Sequence, residues 1–303
     1  MDVIKISPRG YCYGVVDAIK LAKTVAKDPN VPRPIYVLGQ IVHNQHVVEN
    51  LDVLGIVTLD GPDRVAILEN VTAGTVIFTA HGVSPQVKVR AREKGLNCID
   101  ATCPDVTRTH DLVTRLVAQG YKIIYVGRKG HPEPEGVLGE APDDVFLVEN
   151  ADDVARLTLD APKIAATNQT TLSQWDTEVV MEAIMARYPH VEVFNEICMA
   201  TQVRQTAAVE QGQNADLVLV VGDQRSNNSN RLVQVVQEKA GRPSYLIDSV
   251  ADIKPEWLAG RRRIGVTSGS STPSELTREV IQYIQSLPDA SVVEALEAAS
   301  SSS

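Results

Sequence analysis

Asp100-Ala101-Thr102-Cys103-Pro104-Asp105-Val106-Thr107 places a cysteine between the end of a short strand and the start of a helix. Upstream, Leu96-Asn97-Cys98-Ile99 reads as the tail of the strand. Downstream, Val106, Val113, Leu116 and Val117 recur at helical spacing as far as Gly120. Pro104 suits a helix's first turn, where its missing N–H costs nothing. A thiol at this junction faces unpaired backbone N–H groups and the positive end of a helix dipole, which favours thiolate over thiol. The same setting occurs twice more. Cys12 follows Val3-Ile4-Lys5-Ile6 and precedes Val15, Ile19, Ala22 and Ala26 at helical spacing. Cys198 follows Val191-Glu192-Val193-Phe194 and precedes Met199-Ala200-Thr201-Gln202-Val203.

Read outward from the three cysteines, the chain repeats. After each comes a helix, then a strand ending in glycine: Pro34–Gly39, Ile123–Gly127 and Leu217–Gly222. Polar loops follow at Gln40–His46, Arg128–Glu135 and Asp223–Asn230. Short strands are then predicted at Gly55–Leu59, Val145–Glu149 and Ser244–Asp248, and further ones at Val76–Ala80, Lys163–Thr167 and Arg263–Thr267. Each of these last strands ends in a small polar loop that opens a helix: His81-Gly82-Val83-Ser84, Gln169-Thr170-Thr171 and Ser268-Gly269-Ser270-Ser271-Thr272. The cysteines are 91 and 95 residues apart, close to a single period. The last helix, Glu275–Leu287, has no strand after it, and the N-terminal strand Asp2–Ile6 is the segment that can fill the gap.

Alternating strands and helices imply parallel sheets with helices on both faces and ligands at the carboxyl ends of strands. The expected fold is α/β, with three pseudo-repeated parallel-sheet units placed around a common centre. The expected boundaries are residues 1–13 for the N-terminal strand and first cysteine, then units at 14–102, 103–197 and 198–288. A tail follows at 289–303, with an acidic helix expected from Ala290 on.

Length and composition narrow the class. With 303 residues and 44% hydrophobic content the chain can build several cores. It has no apolar run long enough for a membrane span. The start Met1-Asp2-Val3-Ile4-Lys5 lacks a secretory or transit pattern, so a cytoplasmic location is expected. There, four cysteines point to metal or redox chemistry and away from disulfides. A net charge of −9 and only 4% aromatic residues argue against nucleic acid as a partner.

Three thiolates meeting at one point would hold a soft metal, either zinc or an iron–sulfur cluster. Structural cysteines in a plain α/β scaffold, or a zinc-organised module that binds a phosphorylated metabolite, are the alternatives the residues leave open. Cys98 lies within its strand and is read as core. His43, His81, Ser226, Asn227, Asn228 and Ser271 sit at strand ends, where imidazole, hydroxyl, amide and helix-terminal N–H groups together suit a phosphate. Helix capping is the plainer role for any one of these serines and asparagines. Gly130-His131-Pro132-Glu133-Pro134-Glu135-Gly136 sets a carboxylic acid beside an imidazole, an arrangement able to deliver a proton. A proline-stiffened surface turn is the alternative. Glu133 is the expected acid and Glu135 the solvated neighbour, while His46 and His110 are assigned to packing or surface.

These residues resemble the 4-hydroxy-3-methylbut-2-enyl diphosphate reductase family of the non-mevalonate isoprenoid pathway. The resemblance runs from Pro8 to about Leu287. It is carried by Pro8-Arg9-Gly10-Tyr11-Cys12, Val42-His43-Asn44, Ala80-His81-Gly82-Val83-Ser84, Asp100-Ala101-Thr102-Cys103-Pro104, Gly130-His131-Pro132-Glu133, Gln169-Thr170-Thr171-Leu172-Ser173, Ile197-Cys198 and Ser229-Asn230-Arg231-Leu232. It implies three α/β units around one [4Fe–4S] cluster per chain, held by Cys12, Cys103 and Cys198, with the substrate hydroxyl on the open iron. It implies a two-electron reductive dehydroxylation yielding isopentenyl and dimethylallyl diphosphate. Glu133 would be the proton donor, with His131 and Thr170 in its relay. His43, His81, His131, Thr170, Ser226, Asn227, Asn228 and Ser271 would bind the substrate, and a ferredoxin or flavodoxin system would supply electrons. The chain departs from the family's usual pattern at Tyr13, where a small residue often follows the first cysteine. It departs again at Asn227, where many members carry a second serine; an amide still donates a hydrogen bond.

Overall fold

Runs rich in β-branched residues become strands, and those buried on both faces become the centres of sheets. In the computed structural model, which describes residues 1–61 and 63–287, every sheet is four-stranded and parallel. In chain order the elements are β1 (Asp2–Lys5), α1 (Tyr13–Lys27), β2 (Ile35–Leu38), α2 (Gln45–Asp52), β3 (Ile56–Leu59), α3 (Arg64–Glu69), β4 (Thr75–Phe78), α4 (Pro85–Glu93), β5 (Asn97–Asp100) and α5 (Pro104–Ala118). There follow β6 (Lys122–Val126), α6 (Pro132–Leu138), β7 (Val145–Val148), α7 (Ala151–Arg156), β8 (Ile164–Asn168), α8 (Gln174–Arg187), β9 (Glu192–Val193) and α9 (Met199–Gly212). The last are β10 (Leu217–Val221), α10 (Asn227–Val235), β11 (Ser244–Ile247), α11 (Pro255–Leu258), β12 (Arg263–Ser268) and α12 (Ser274–Ser286). The acidic helix expected from Ala290 on and the tail at 289–303 lie outside the described residues.

The three sheets share one strand order: β3-β2-β4-β5, β7-β6-β8-β9 and β11-β10-β12-β1. β1 pairs with β12 from Asp2↔Arg263 to Lys5↔Val266, so the chain's first strand completes the sheet built by its last ones. In every sheet the chain leaves the second strand toward one edge and returns on the far side. Successive crossovers therefore diverge between β2 and β4, between β6 and β8, and between β10 and β12. Such a divergence leaves a crevice at the carboxyl ends of the two central strands.

The cores follow the two-residue period of the strands. Leu217, Leu219 and Val221 face α12 through Val280, Ile281 and Ile284, whereas Val218 and Val220 face α9 and α10 through Ala207, Ala208 and Leu232. Likewise Ile124 and Val126 pack on Val180, Met181 and Ile184 of α8, and Ile123 and Tyr125 on Leu112, Val113 and Leu116 of α5. Each buried aliphatic side chain contributes roughly 1.5–3 kcal/mol over its exposed state. The described chain falls into two compact units. One holds Met1–Cys12 with the residues from Met199 on, and the other holds Tyr13–Cys198.

Several elements differ from the sequence reading: the loop expected over Gln40–His46 gives way to α2 at Gln45, and that over Asp223–Asn230 to α10 at Asn227. The loop expected over Arg128–Glu135 ends early, because α6 begins at Pro132. Its two prolines fall in the first turn, where backbone N–H groups have no helical acceptor and none is lost. The strand expected over Val191–Phe194 shrinks to two residues, an edge strand paired to β8 through Ala165 and Ala166.

Candidate active site

In the unit Tyr13–Cys198, the two crevices at the divergence points carry most of the polar residues singled out above. His43 follows β2 and His81 follows β4; His131 and Glu133 follow β6, and Thr170 follows β8. The three imidazoles come together. The His43 and His81 rings stack with centroids 4.2 Å apart, and His131 stands edge-on to both at 5.3 and 5.4 Å. One ligating atom from each lies within 4.8 Å of the others. Burial is the main force on their charge. It pushes the His81 pKa well below the ordinary value, helped by His43 and His131. It pushes His131 down to about 3, helped by His43, Arg128 and Arg64. Both imidazoles are therefore neutral at pH 7, and each offers one N–H donor. His131 caps α6 with Nδ1 accepting from the Glu133 N–H at 3.2 Å, which leaves Nε2 as its donor.

Glu133 is 1% exposed. One carboxylate oxygen accepts from the Thr170 N–H at 2.6 Å and the other from the Thr170 hydroxyl at 3.0 Å. Burial raises its pKa to about 7, outweighing those two bonds, with a smaller contribution from Asp105. A carboxyl group so placed holds and releases a proton near neutrality. Glu135, two residues on, is exposed, as expected.

None of the cysteines is in a disulfide. Cys103 is the N-cap residue of α5 with Pro104 at the first helical position, and its N–H donates to the Ala80 carbonyl at 3.0 Å. Cys198 directly precedes α9, and its N–H donates to the Thr170 carbonyl at 3.0 Å. Each sulfur thus sits at a helix N-terminus, and each is tied to a loop that carries a polar candidate. Gly14 abuts Cys103, since a Cβ added there would lie 2.4 Å from the Cys103 sulfur. Cys98 is partly buried in β5, packed on the core that contains Val76 and Val87, and stands apart from this constellation. His110 is partly buried and pairs with Glu140 at 2.6 Å.

Tyr13 has a defined place. Its hydroxyl donates to Asp105, and burial is the first cause that drives its pKa up, followed by Asp105, Cys103 and Cys198. Asp105 also pairs with Arg108 at 3.1 Å, and Arg108 pairs with Glu196 at 2.7 Å. This chain of bonds joins the residues next to three cysteines in sequence: Tyr13 after Cys12, Asp105 two beyond Cys103, and Glu196 two before Cys198. It was not legible in the sequence, because two of its three links, Tyr13–Asp105 and Arg108–Glu196, span 92 and 88 residues and none of its members has a distinctive local pattern. Arg64 was missed because no local pattern marks it as a brace between loops. Its guanidinium donates to the Gly82 carbonyl at 2.9 Å, and a Cβ at Gly39 would lie 2.9 Å from it, so one cation braces the loops of His43 and His81.

In the other unit, the loops after β10 and β12 hold the rest. Ser226, Asn227, Asn228 and Ser271 are all buried. Ser226 caps α10, accepting from the Ser229 N–H at 3.2 Å, so the plain capping role is real for this serine. Asn228 Oδ1 accepts from the Ser270 N–H at 3.1 Å, and the Ser270 carbonyl accepts from the Cys12 N–H at 3.1 Å. Gly222 and Gly269 admit this closeness, because a Cβ on either would meet the Ser229 hydroxyl at 2.3 or 2.0 Å. Among the described residues no helix is long and apolar enough to cross a membrane.

Known proteins resemble the chain over nearly its whole length. The LytB protein family profile matches residues 3–285. A curated relative from Symbiobacterium thermophilum is 64% identical over 287 residues, 94% of this chain and 97% of its own length. One from Shouchella clausii is 59% identical over 285 residues, 94% of this chain and 91% of its own. Both are named 4-hydroxy-3-methylbut-2-enyl diphosphate reductase. Among solved structures, the E-1-hydroxy-2-methyl-but-2-enyl-4-diphosphate reductase of Plasmodium falciparum superposes with a TM-score of 0.89 at 34% identity, covering 95% of this chain and 89% of its own. A second, described as the terminal enzyme of the non-mevalonate pathway, gives 0.67 at 33% identity over 94% of this chain and 99% of its own. With its strand order, its cysteines at helix starts and near full-length similarity, the chain belongs to the LytB protein family.

Proposed function

We propose that the chain is an oxidoreductase that reduces 4-hydroxy-3-methylbut-2-enyl diphosphate to isopentenyl and dimethylallyl diphosphate. The reaction breaks the C–O bond of the allylic alcohol and forms one C–H bond. It consumes two electrons and two protons and releases water. The observation that carries this reading is Glu133: a buried carboxyl, held by Thr170 with its pKa raised to about 7, beside three clustered imidazoles. At neutral pH a large fraction of it is protonated, so it can give a proton to a departing hydroxyl. Thr170 fixes the carboxyl group, and His131 fixes the backbone at Glu133.

His43, His81, His131, Thr170, Ser226, Asn227, Asn228 and Ser271 would bind the diphosphate substrate. They act through neutral N–H and O–H donors and helix-start amides, consistent with the neutral state of His81 and His131. Cys12, Cys103 and Cys198 would hold a [4Fe–4S] cluster. The donor set fits such a group: three cysteines, each directly before a helix or capping one, where thiolate is favoured. When bound, the cluster supplies the electrons and a Lewis-acidic iron for the substrate oxygen. A ferredoxin or flavodoxin would be the source of those electrons.

The test is anaerobic turnover of the synthetic substrate with dithionite, following both products. Conversion by the wild type that falls nearly to zero in Glu133→Gln, with iron content kept, supports the reading. Equal turnover in that variant removes Glu133 from the reaction, and no turnover by iron–sulfur-loaded wild type removes the reaction itself.

A further inference from the structure

The unit that carries Cys12 has a further concavity, beside the loop that follows β1. An open cleft of about 560 Å³ lies between the N-terminal segment and one face of α12. Lys5, Arg9 and Arg278 line it, and among the described residues no carboxylate does. Ser274, Arg278, Gln282 and Gln285 share that face of α12 at helical spacing, whereas Glu275 and Glu279 fall off it. Lys5 and Arg278 are exposed. Arg9 is anchored, with Nη1 donating to the Lys5 and Ile6 carbonyls at 3.3 and 3.1 Å. Three cations in one cleft, with no carboxylate paired to them among the described residues, stand out on a chain of net charge −9.

The wall of the cleft leads to the first cysteine. Gly10 lines it, and its N–H donates to the Ser268 hydroxyl at 2.8 Å while its carbonyl accepts from the buried Arg204 at 2.9 Å. Cys12 is two residues further on, so the two Cα atoms are at most roughly 7 Å apart. A small phosphate would want backbone N–H groups as well as cations. Here the amides of Ser7 and Gly10 are already used, by Gln211 at 3.0 Å and by Ser268. What remains is a mixture of cations, glutamine amides and apolar surface from Pro8 and Ile281, the make-up of a protein interface rim.

We propose that this cleft is the docking site of a small acidic electron-carrier protein, which brings electrons to the chain beside Cys12. The proposal rests on the reductase reading above. Two dockings of a one-electron carrier supply the two electrons of one turnover, each carrier leaving oxidised by one electron, and the two protons come from Glu133 and solvent. Positive charge in the cleft would steer and orient the acidic partner, an effect that falls with added salt.

The test uses cluster-loaded protein, wild type and Lys5→Glu/Arg278→Glu, with a [2Fe–2S] ferredoxin of strong negative charge as probe. Arg9 is left intact because its bonds hold the segment. Oxidised ferredoxin is titrated calorimetrically at low and moderate salt, and turnover is measured with reduced ferredoxin and with dithionite. The expected result is ferredoxin affinity about tenfold weaker in the variant, with a flattened salt dependence and dithionite-driven turnover within about twofold of wild type. Equal ferredoxin affinity and equal salt dependence in the two proteins overturn the proposal. The neutral pair Lys5→Gln/Arg278→Gln, expected to fall between them, guards against a fold defect from charge reversal. Failure of wild type with dithionite would count against the reductase reading, while the titration still decides the docking site.

Discussion

Replacing Glu133 by Gln removes one titrating group from a buried site and leaves its shape almost unchanged. The structure sets the size of the effect. Burial raises the Glu133 pKa from 4.5 to about 7, against the opposing bonds from Thr170. At about 1.4 kcal/mol per unit, the charged form costs the folded state about 3 kcal/mol relative to the unfolded chain. Below pH 4.5 both states hold the proton and the penalty is absent. Between 4.5 and 7 the unfolded chain releases its proton while the folded chain keeps it, so wild-type stability falls by about 1.4 kcal/mol per pH unit. Above 7 the penalty is constant. Because the Gln variant has no such group, its stability relative to wild type should climb by about 3 kcal/mol across that window. Anaerobic urea titrations of both proteins from pH 4.5 to 8 would read this. Turnover should move with the same proton, so kcat/KM of the wild type should decline as pH rises through about 7. The variant should lose 10²–10⁴-fold at pH 7, the usual worth of a general acid. A stability difference that does not vary with pH, or wild-type activity without a limb near 7, would refute the reasoning.

Other perturbations test neighbouring parts of the account. His131 shifts in the opposite sense, from 6.5 to about 3, so it takes stability away as pH falls through that range. His131→Gln should blunt acid destabilisation by about 5 kcal/mol, as read by the pH dependence of urea midpoints. Gly14→Ala would normally favour a helix, yet its Cβ would collide with the Cys103 sulfur. Iron retained after anaerobic purification should fall well below wild type, and full retention would show that Cys103 is not held against Gly14. Cys98→Ser should leave iron and sulfide content unchanged, since Cys98 sits in β5 on the core side of the unit; a loss there would reopen the ligand assignment.

Much of the fold could be read from local pattern because the chain states it three times. The apolar runs at Ile35–Leu38, Ile123–Val126 and Leu217–Val221 are too short for helices and too uniformly apolar for exposed strands, and they form the buried second strands of the sheets. The junction at Cys103 was legible because Pro104 fixes where α5 starts. α6 was not, because two prolines and Gly136 within seven residues look like a turn; only their positions in the first turn and on the packed face make them compatible with a helix. At the site, Glu133 and His131 were visible as a pair, but the raised carboxyl and the lowered imidazole pKa depend on burial. Arg64 and the Tyr13–Asp105–Arg108–Glu196 chain of bonds exist only through tertiary contacts, and single residues gave no sign of them.

The most direct test of the central claim is an anaerobic visible spectrum with iron, sulfide and zinc analysis on one sample of the wild-type chain. The account predicts a brown protein with about four irons and four sulfides per chain, as one cubane cluster requires, and little zinc. Stoichiometric zinc with no sulfide, persisting after anaerobic reconstitution with iron and sulfide, would contradict it.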